Sequence, residues 1–380
     1  MLRELWYSDR LRNGVFQAVL LGGLIWLLFW IGGNTVQNLA ERGIRTGYEF
    51  LQRPARFPIS ETVLRYSPSD SFFWAYVVGL ANTLWLSFLT ILFATIGGLA
   101  LALARLSGHP LLSRLAGIYV TVFRNVPLIV QLLFFYGVAT SLFPPVRQAL
   151  NPLPGLYLSL RGVYAPGLVM GPGSGTVIAV AVLLALVLLI VLRHWAAGQG
   201  RLRRWLWGLA IFLPALVLVW LLAGRPIALE APQLHGLNFR GGLYLSPEFS
   251  AIIIGLTLYT TAFTGEIIRG GIEAVGKGQW EGGRALGVSE RHIMFRIILP
   301  QALRVIVPPM TSQYLSTVKN TTLAVAVGYP ELGLVVNTVI NQTGQALESI
   351  LIMLGVFLTI SLSVSALMNY FNARIALVER

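Results

Sequence analysis

The stretch GQWEGGRALGVSERHIMFRIILP, Gly278 to Pro300, carries Glu281, Arg284, Glu290, Arg291 and Arg296. Long apolar runs lie on either side of it. Of the 380 residues, 56% are hydrophobic and 11% are charged, with a mean hydropathy of +0.72. A soluble domain carries about 25% charged residues, and a soluble fold of this size could not hide so much apolar surface from water. The chain is therefore read as a membrane protein, and the charged stretch as a segment held outside the bilayer to meet something.

The apolar runs give about eight spans, each with roughly the 20 apolar residues that cross the hydrocarbon core. They are Val15–Gly33, Trp74–Ala104, Leu112–Ser141, Thr176–Leu192, Trp205–Ala223, Phe249–Gly270, Ala302–Ala326 and Ser349–Tyr370. The first is preceded by Arg3, Arg10 and Arg12 and is read as a retained helix, too long for a cleaved signal peptide. Pro308 and Pro309 are expected to interrupt the span that begins at Ala302. Most Lys and Arg residues, including Arg105, Arg201, Arg203, Arg204, Lys277 and Arg374, fall on one side if both ends are cytoplasmic. That orientation also places the opening stretch in the cytoplasm. The proline-bearing segments Asn34–Ser71 and Leu142–Gly175 are expected outside, as irregular surface chain.

The net charge of +13 is assigned to arginines flanking the spans. No motif for nucleic acid accompanies it. There is no cysteine, hence no disulfide framework and no thiolate metal site. His109, His194, His235 and His292 are scattered, whereas a metal site needs them clustered. GIEAVGKG, Gly271–Gly278, nearly spells a phosphate loop, but Gly278 stands where a hydroxyl should hold magnesium, and a membrane helix precedes it. Ser174 in GPGSG could suggest an intramembrane hydrolase; it lies at a span entrance without a partnered buried histidine.

Within the opening stretch, Glu281-Gly282-Gly283, three residues, Gly287, nine residues and Ile297-x-Leu299-Pro300 resemble the cytoplasmic signature of ABC importer permeases. That signature reads E-A-A, three, G, nine, I-x-L-P. Gly282 and Gly283 replace its two alanines, at a helix cost of roughly 0.8–1 kcal/mol per Gly relative to Ala. Ala285, Leu286 and Val288 can form a short apolar face, Arg284 lies beside them, and Gly287 lets the chain turn between two short helices. GLANTLWLS (Gly79–Ser87), FRNVPLIVQLLFFY (Phe123–Tyr136), LYTTAFTGEIIRGGI (Leu258–Ile272) and KNTTLA (Lys319–Ala324) are similar to the matching segments of polar amino acid permeases, the histidine/glutamine/glutamate/arginine group. The extra first span and central pair resemble the longer permeases of general L-amino acid importers.

The resemblance implies an all-α integral membrane fold. A five-helix type I importer core is joined by one N-terminal and two inserted spans. The expected divisions are 1–71, an N-terminal span and extracytoplasmic segment; 72–141, the first part of the core; 142–246, the insert; and 247–380, the second part, with coupling helices at 276–300. The implied function is half of the pore of an ATP-driven, binding-protein-dependent importer of L-amino acids in the bacterial inner membrane. The chain is not itself an enzyme and holds no cofactor; ATP and magnesium belong to a partner ATPase. Implied partners are two ATPase subunits, an extracytoplasmic amino acid binding protein, a second permease (a different chain, or a second copy) and membrane lipid. A secondary amino acid transporter is the alternative; it would need coupling-ion sites, often within repeats, and no short internal repeat is found.

For the substrate pathway, helical spacing places Tyr259, Phe263, Glu266 and Gly270 on one stripe, and Arg124 and Gln131 on another. Lys319, Thr321 and Thr322 follow the proline-bearing span. Ionisable groups at membrane depth face a partner or a water-filled path. Glu266 could receive an α-ammonium, and Lys319 or Arg124 the carboxylate, helped by Thr321 and Thr322, with Tyr259 and Phe263 along the side chain's path. Structural pairing of Glu266 with Arg269 or Arg124 is the competing reading.

Overall fold

The computed structural model describes residues 9–41, 47–171, 174–195, 212, 214–221, 223 and 227–375. Among these, five helices are long and apolar enough to cross a membrane: Arg12–Thr35, Phe72–Leu106, Pro247–Glu273, Glu290–Val327 and Ala346–Ala366. A bent pair, Pro110–Asn125 with Leu128–Ser141, raises the number to six. The expected total of eight is thus not reached within the described residues. Ser174–Ala185 is a shorter apolar helix, and much of Trp205–Ala223, with Arg201, Arg203 and Arg204, lies outside them.

Two readings of prolines are corrected. Leu112–Ser141 is not one continuous helix. It breaks into α3 (Pro110–Asn125) and α4 (Leu128–Ser141). Pro127 has no N–H, and its ring disfavours helical backbone at Val126. Its carbonyl instead starts the next helix, accepting from the N–H groups of Val130 at 3.0 Å and Gln131 at 3.3 Å. Pro308 and Pro309, by contrast, sit inside a continuous helix, Leu299–Asn320. Membrane helices tolerate proline where neighbouring groups re-satisfy the freed backbone.

The chain divides into two compact units, 1–125 with 256–380, and 126–255. The first contains α1 (Asp9–Glu41), α2 (Phe72–Leu106) and α3. It also holds most of the long helix Pro247–Glu273, here α6, and then α7 (Lys277–Ala285), α8 (Leu299–Asn320), α9 (Leu332–Thr343) and α10 (Ala346–Ile375). Helix α2 starts where Ser71 accepts a hydrogen bond from the Trp74 N–H, a side-chain cap. Small and hydroxyl residues let α6 approach it closely, as expected where apolar lipid gives helices no hydrophobic drive to associate. Thr264 donates to the Ala94 carbonyl at 2.9 Å, and a side chain at Gly98 would run into Thr264.

Asn82 and Thr83 of α2 organise one end of this unit. The Asn82 amide donates to the carbonyls of Glu61 and Pro330, each at 2.8 Å, and accepts from the Val63 N–H. Thr83 accepts from the Leu332 N–H. Beside them, Phe50, Ala55, Phe57, Phe72, Tyr76 and Val335 form a buried cluster. The segment read as irregular chain after Asn34 therefore includes a packed cap, entered through a 3₁₀ turn at Glu49–Gln52.

The second unit holds α4, α5 (Ser174–Trp195) and a small β module, a correction to the irregular chain expected over Leu142–Gly175. The strands are β1 (Leu150–Leu153), β2 (Leu156–Ser159), β3 (Gly162–Ala165) and β4 (Gly167–Met170), then β5 (Ile227–Glu230), β6 (Gln233–His235), β7 (Asn238–Arg240) and β8 (Leu243–Leu245). They pair as a sheet in the order β1-β2-β3-β8 and as two two-stranded antiparallel ribbons: β4-β5, closed across the chain between them, and the hairpin β6-β7. Tyr164 lies opposite Tyr244 across the β3–β8 ladder. Phe239 stacks on Tyr157 at 4.4 Å and meets Tyr164 in a tilted contact at 4.9 Å, and with Val146 these rings form the module's core. Two tyrosine rings packed on Phe239 supply the burial that strands this short lack.

Candidate functional site

The charged stretch folds as a helix, a turn and a second helix start. Helix α7 ends in a closed loop of hydrogen bonds. Gly287 takes the left-handed conformation, with φ of 72°. Its N–H donates to the Arg284 carbonyl at 2.9 Å, and the Val288 N–H donates to the Gly283 carbonyl at 3.1 Å. This is the Schellman arrangement, which favours glycine because other side chains clash with the backbone there. A π-helical turn, Ile293–Ile298, then leads into α8.

One face of this hairpin is anchored and the other is free. Trp280 and Val288 pack against a buried cluster of Ala102, Ile268, Ile272, Ile293, Ile298 and Met310. Gly283 is buried, and a Cβ there would stand 2.8 Å from the Ile293 side chain. At Gly283 the substitution thus admits a close approach, whereas a Cβ at Gly282 would meet nothing within 4 Å. Glu281, Gly282, Arg284 and Ala285 are exposed, and Leu286 is 83% exposed. The apolar face expected from Ala285, Leu286 and Val288 is therefore divided: the first two project outward, and Val288 turns inward. Arg284 pairs with Glu290 at 2.6 Å, tying the two short helices together across the turn. That pair is exposed, and screening limits what it adds to stability.

The residues expected along a pathway fall into groups. The rings of Tyr259 and Phe263 pack in a tilted pair on α6, with centroids 4.8 Å apart, and the Arg124 guanidinium lies 5.0 Å from the Phe263 ring. Cation and ring at that distance attract. Glu266, one turn further, pairs with Arg269 at 3.0 Å and also with Arg105 of α2. Arg269 in turn reaches Glu273. These four side chains form a ladder of alternating charge, so the competing structural pairing of Glu266 is present, with Arg269 and Arg105 as its partners. Arg124 is not among them. Gln131 belongs to the other compact unit, where its amide donates to the Val126 carbonyl at 2.9 Å. Lys319 is exposed. Thr321 and Thr322 donate to the carbonyls of Val318 and Lys319, so both hydroxyl protons are engaged locally.

Two features went unread in the sequence. In the sequence Arg105 reads only as a flanking charge, because nothing in the spacing brings it to Glu266. The other is Glu331, fully buried, whose carboxylate accepts from the N–H groups of Gly333 and Leu334 at 2.8 and 2.9 Å and caps α9. A carboxylate followed by an apolar helical run is a legible capping signal. Burial pushes the Glu331 carboxyl up to about 7, against those two hydrogen bonds.

Comparison with known proteins gives a consistent result. Residues 195–377 match the family model described as a binding-protein-dependent transport system inner membrane component. The chain is 42% identical to YhdX of Escherichia coli (strain K12), an amino-acid ABC transporter permease protein, over 98% of this chain and 96% of that one. It is 35% identical to AapQ, a general L-amino acid transport system permease protein of Rhizobium johnstonii, over 100% of this chain and 96% of the relative. It is 34% identical to BztB of Rhodobacter capsulatus, a glutamate/glutamine/aspartate/asparagine transport system permease protein, over 100% and 97%.

Proposed function

The chain belongs to the family of amino-acid ABC transporter permeases, and from that premise we propose that it forms half of the pore of an L-amino acid importer. The observation that carries this reading is the Glu281–Val288 hairpin: its one face is anchored in a buried cluster while Ala285 and Leu286 are left exposed. An exposed apolar tip on a rigid base suits a groove in an ATPase. On this reading two ATPase subunits, a second permease and an extracytoplasmic binding protein complete the assembly. Close relationship to permeases of general importers favours a different chain as the second permease. Both ends of the chain are cytoplasmic. ATP closes the ATPase dimer, the docking hairpins move together, and the pore opens outward to the loaded binding protein.

Within the pore, Arg124, Tyr259 and Phe263 form the wall that an amino acid passes, with Lys319, Thr321 and Thr322 further along the same unit. Arg124 or Lys319 receives the carboxylate. Glu266 receives the α-ammonium by exchanging one of its two arginine partners for it. Replacing Glu266 by Gln keeps the shape and removes the charge. Uptake should fall by about tenfold or more, the scale of a lost charge-assisted hydrogen bond, while assembly and basal ATP hydrolysis persist. Unchanged transport kinetics would remove Glu266, and the stripe with it.

The decisive test of the function itself is reconstitution with the partner subunits in vesicles. Uptake of labelled amino acid should stop when ATP is withheld under an intact ion gradient. Uptake that continues on the gradient alone would identify a secondary transporter.

A further inference from the structure

The β module contains a cavity of about 570 Å³ lined by Arg161, Tyr164, Asn238, Phe239, Tyr244 and Glu248, with Gly241, Gly242 and Pro247 completing its wall. It lies in the unit formed by residues 126–255. Apart from Pro247 and Glu248, which open α6, its residues are outside the membrane-spanning helices. Its volume falls in the range of small-molecule sites. Tyr164 and Phe239 are almost fully buried, and Tyr244 packs on Tyr164 at 5.0 Å. One side of the cavity is thus a fixed aromatic surface.

The charged groups are only partly satisfied by the protein. Arg161 uses its Nη1 toward the Leu237 carbonyl at 3.4 Å and the Asn238 side-chain oxygen at 3.1 Å. Its Nε and Nη2 make no hydrogen bond with another described residue. The Tyr244 hydroxyl donates to the Arg161 carbonyl at 3.0 Å, so the segment that carries the guanidinium is held in place. Glu248 accepts from the Tyr136 hydroxyl at 3.2 Å through one oxygen. It has no ion-pair partner among the described residues. Burial pushes the Tyr164 phenol up, and the charge of Arg161 pulls it back down, as a guanidinium close to that ring must.

A guanidinium with a free edge takes a carboxylate in a two-pronged contact. A carboxylate with open lone pairs takes an ammonium. An aromatic wall takes an apolar stem. We infer that this cavity binds a free α-amino acid as its zwitterion, its carboxylate on Arg161, its ammonium on Glu248 and its side chain along Tyr164 and Phe239. Its lining includes none of the pathway residues Arg124, Tyr259, Phe263 and Glu266, and its ligand class is read from that lining alone. It gives the permease a place to hold substrate outside the membrane spans.

The test uses the full permease complex, purified without the binding protein. Equilibrium binding is measured with labelled L-glutamine, L-glutamate, L-arginine and L-leucine, one at a time. In the Glu266→Gln complex, where the pore has lost its proposed ammonium acceptor, at least one of them should still bind saturably at the cavity. Arg161→Ala and Glu248→Gln should each weaken that binding by about tenfold or more, and Arg161→Lys should restore part of it. Since both side chains line an open cavity, the variants should retain the wild-type melting temperature; a variant that does not is replaced by Tyr244→Phe, which leaves the wall and should weaken binding less. Two results would overturn the inference. One is amino acid binding that Arg161→Ala and Glu248→Gln leave unchanged, or that Glu266→Gln abolishes altogether. The other is a loss confined to stimulation of ATP hydrolysis by the binding protein, which would make the cavity a socket for a protein side chain. Both outcomes are independent of ATP-driven uptake, so they leave the permease function standing.

Discussion

At the scale of single residues, Gly287 and Glu331 show how one backbone angle or one carboxylate decides a local structure. At Gly287 the φ of 72° costs any other residue roughly 1–2 kcal/mol. The space around it is open, with nothing within 4 Å of an added Cβ. Gly287→Trp should therefore insert in the membrane and yet uncouple transport, because its bulk occupies the docking groove. Full ATP-stimulated uptake by that variant would end the docking assignment. Glu331 gives a pH-dependent prediction. Its folded carboxyl holds its proton up to about 7, against an ordinary value of 4.5. Between those values the folded state binds more protons than the unfolded one, so stability falls as pH rises through the window. Glu331→Gln should flatten the melting-temperature profile between pH 4.5 and 7; a profile as steep as wild type would assign the slope elsewhere. The Gly287 turn was legible, since its spacing needs only the local chain. The reason for Gly283 was not, because Ile293 meets it through tertiary packing.

At the scale of elements, the helices were more legible than the strands. Apolar runs of span length announce themselves whatever they pack against. Strands of three or four residues do not, and β3 pairs with β8 from Val163 to Leu245, far along the chain. The α3–α4 break was written in Pro127, but continuous hydropathy concealed it. Glu266 was half legible: Arg269 is three residues away on the same helix, whereas Arg105 comes from α2. The α2–α6 crossing makes its own prediction. Gly98→Val would force its side chain into Thr264 and break that residue's bond to the Ala94 carbonyl. Overpacking of this kind costs about 1–3 kcal/mol. A lower melting temperature in detergent should accompany it, whereas Gly282→Ala, with open space around it, should leave the protein as stable or slightly more so.

At the scale of the whole molecule, sidedness is the property to measure. A reporter fused after Arg380 should read cytoplasmic, and one inserted near Pro232 should read outside; either opposite result breaks the assigned orientation. Purification from native membranes should bring down an ATPase and a second permease together. The anchored hairpin bears on how such an assembly would work. Its tip is Ala285 and Leu286, and its base is an apolar cluster shared by α2, α6 and α8. Packed interiors are nearly incompressible and transmit strain. A push at Leu286 would therefore be passed through that base to three spanning helices. On the proposed docking the hairpin would act as a push-rod rather than a tether, and inserting a flexible glycine pair after Val288 should act as a damper, so that ATP is spent without moving the pore.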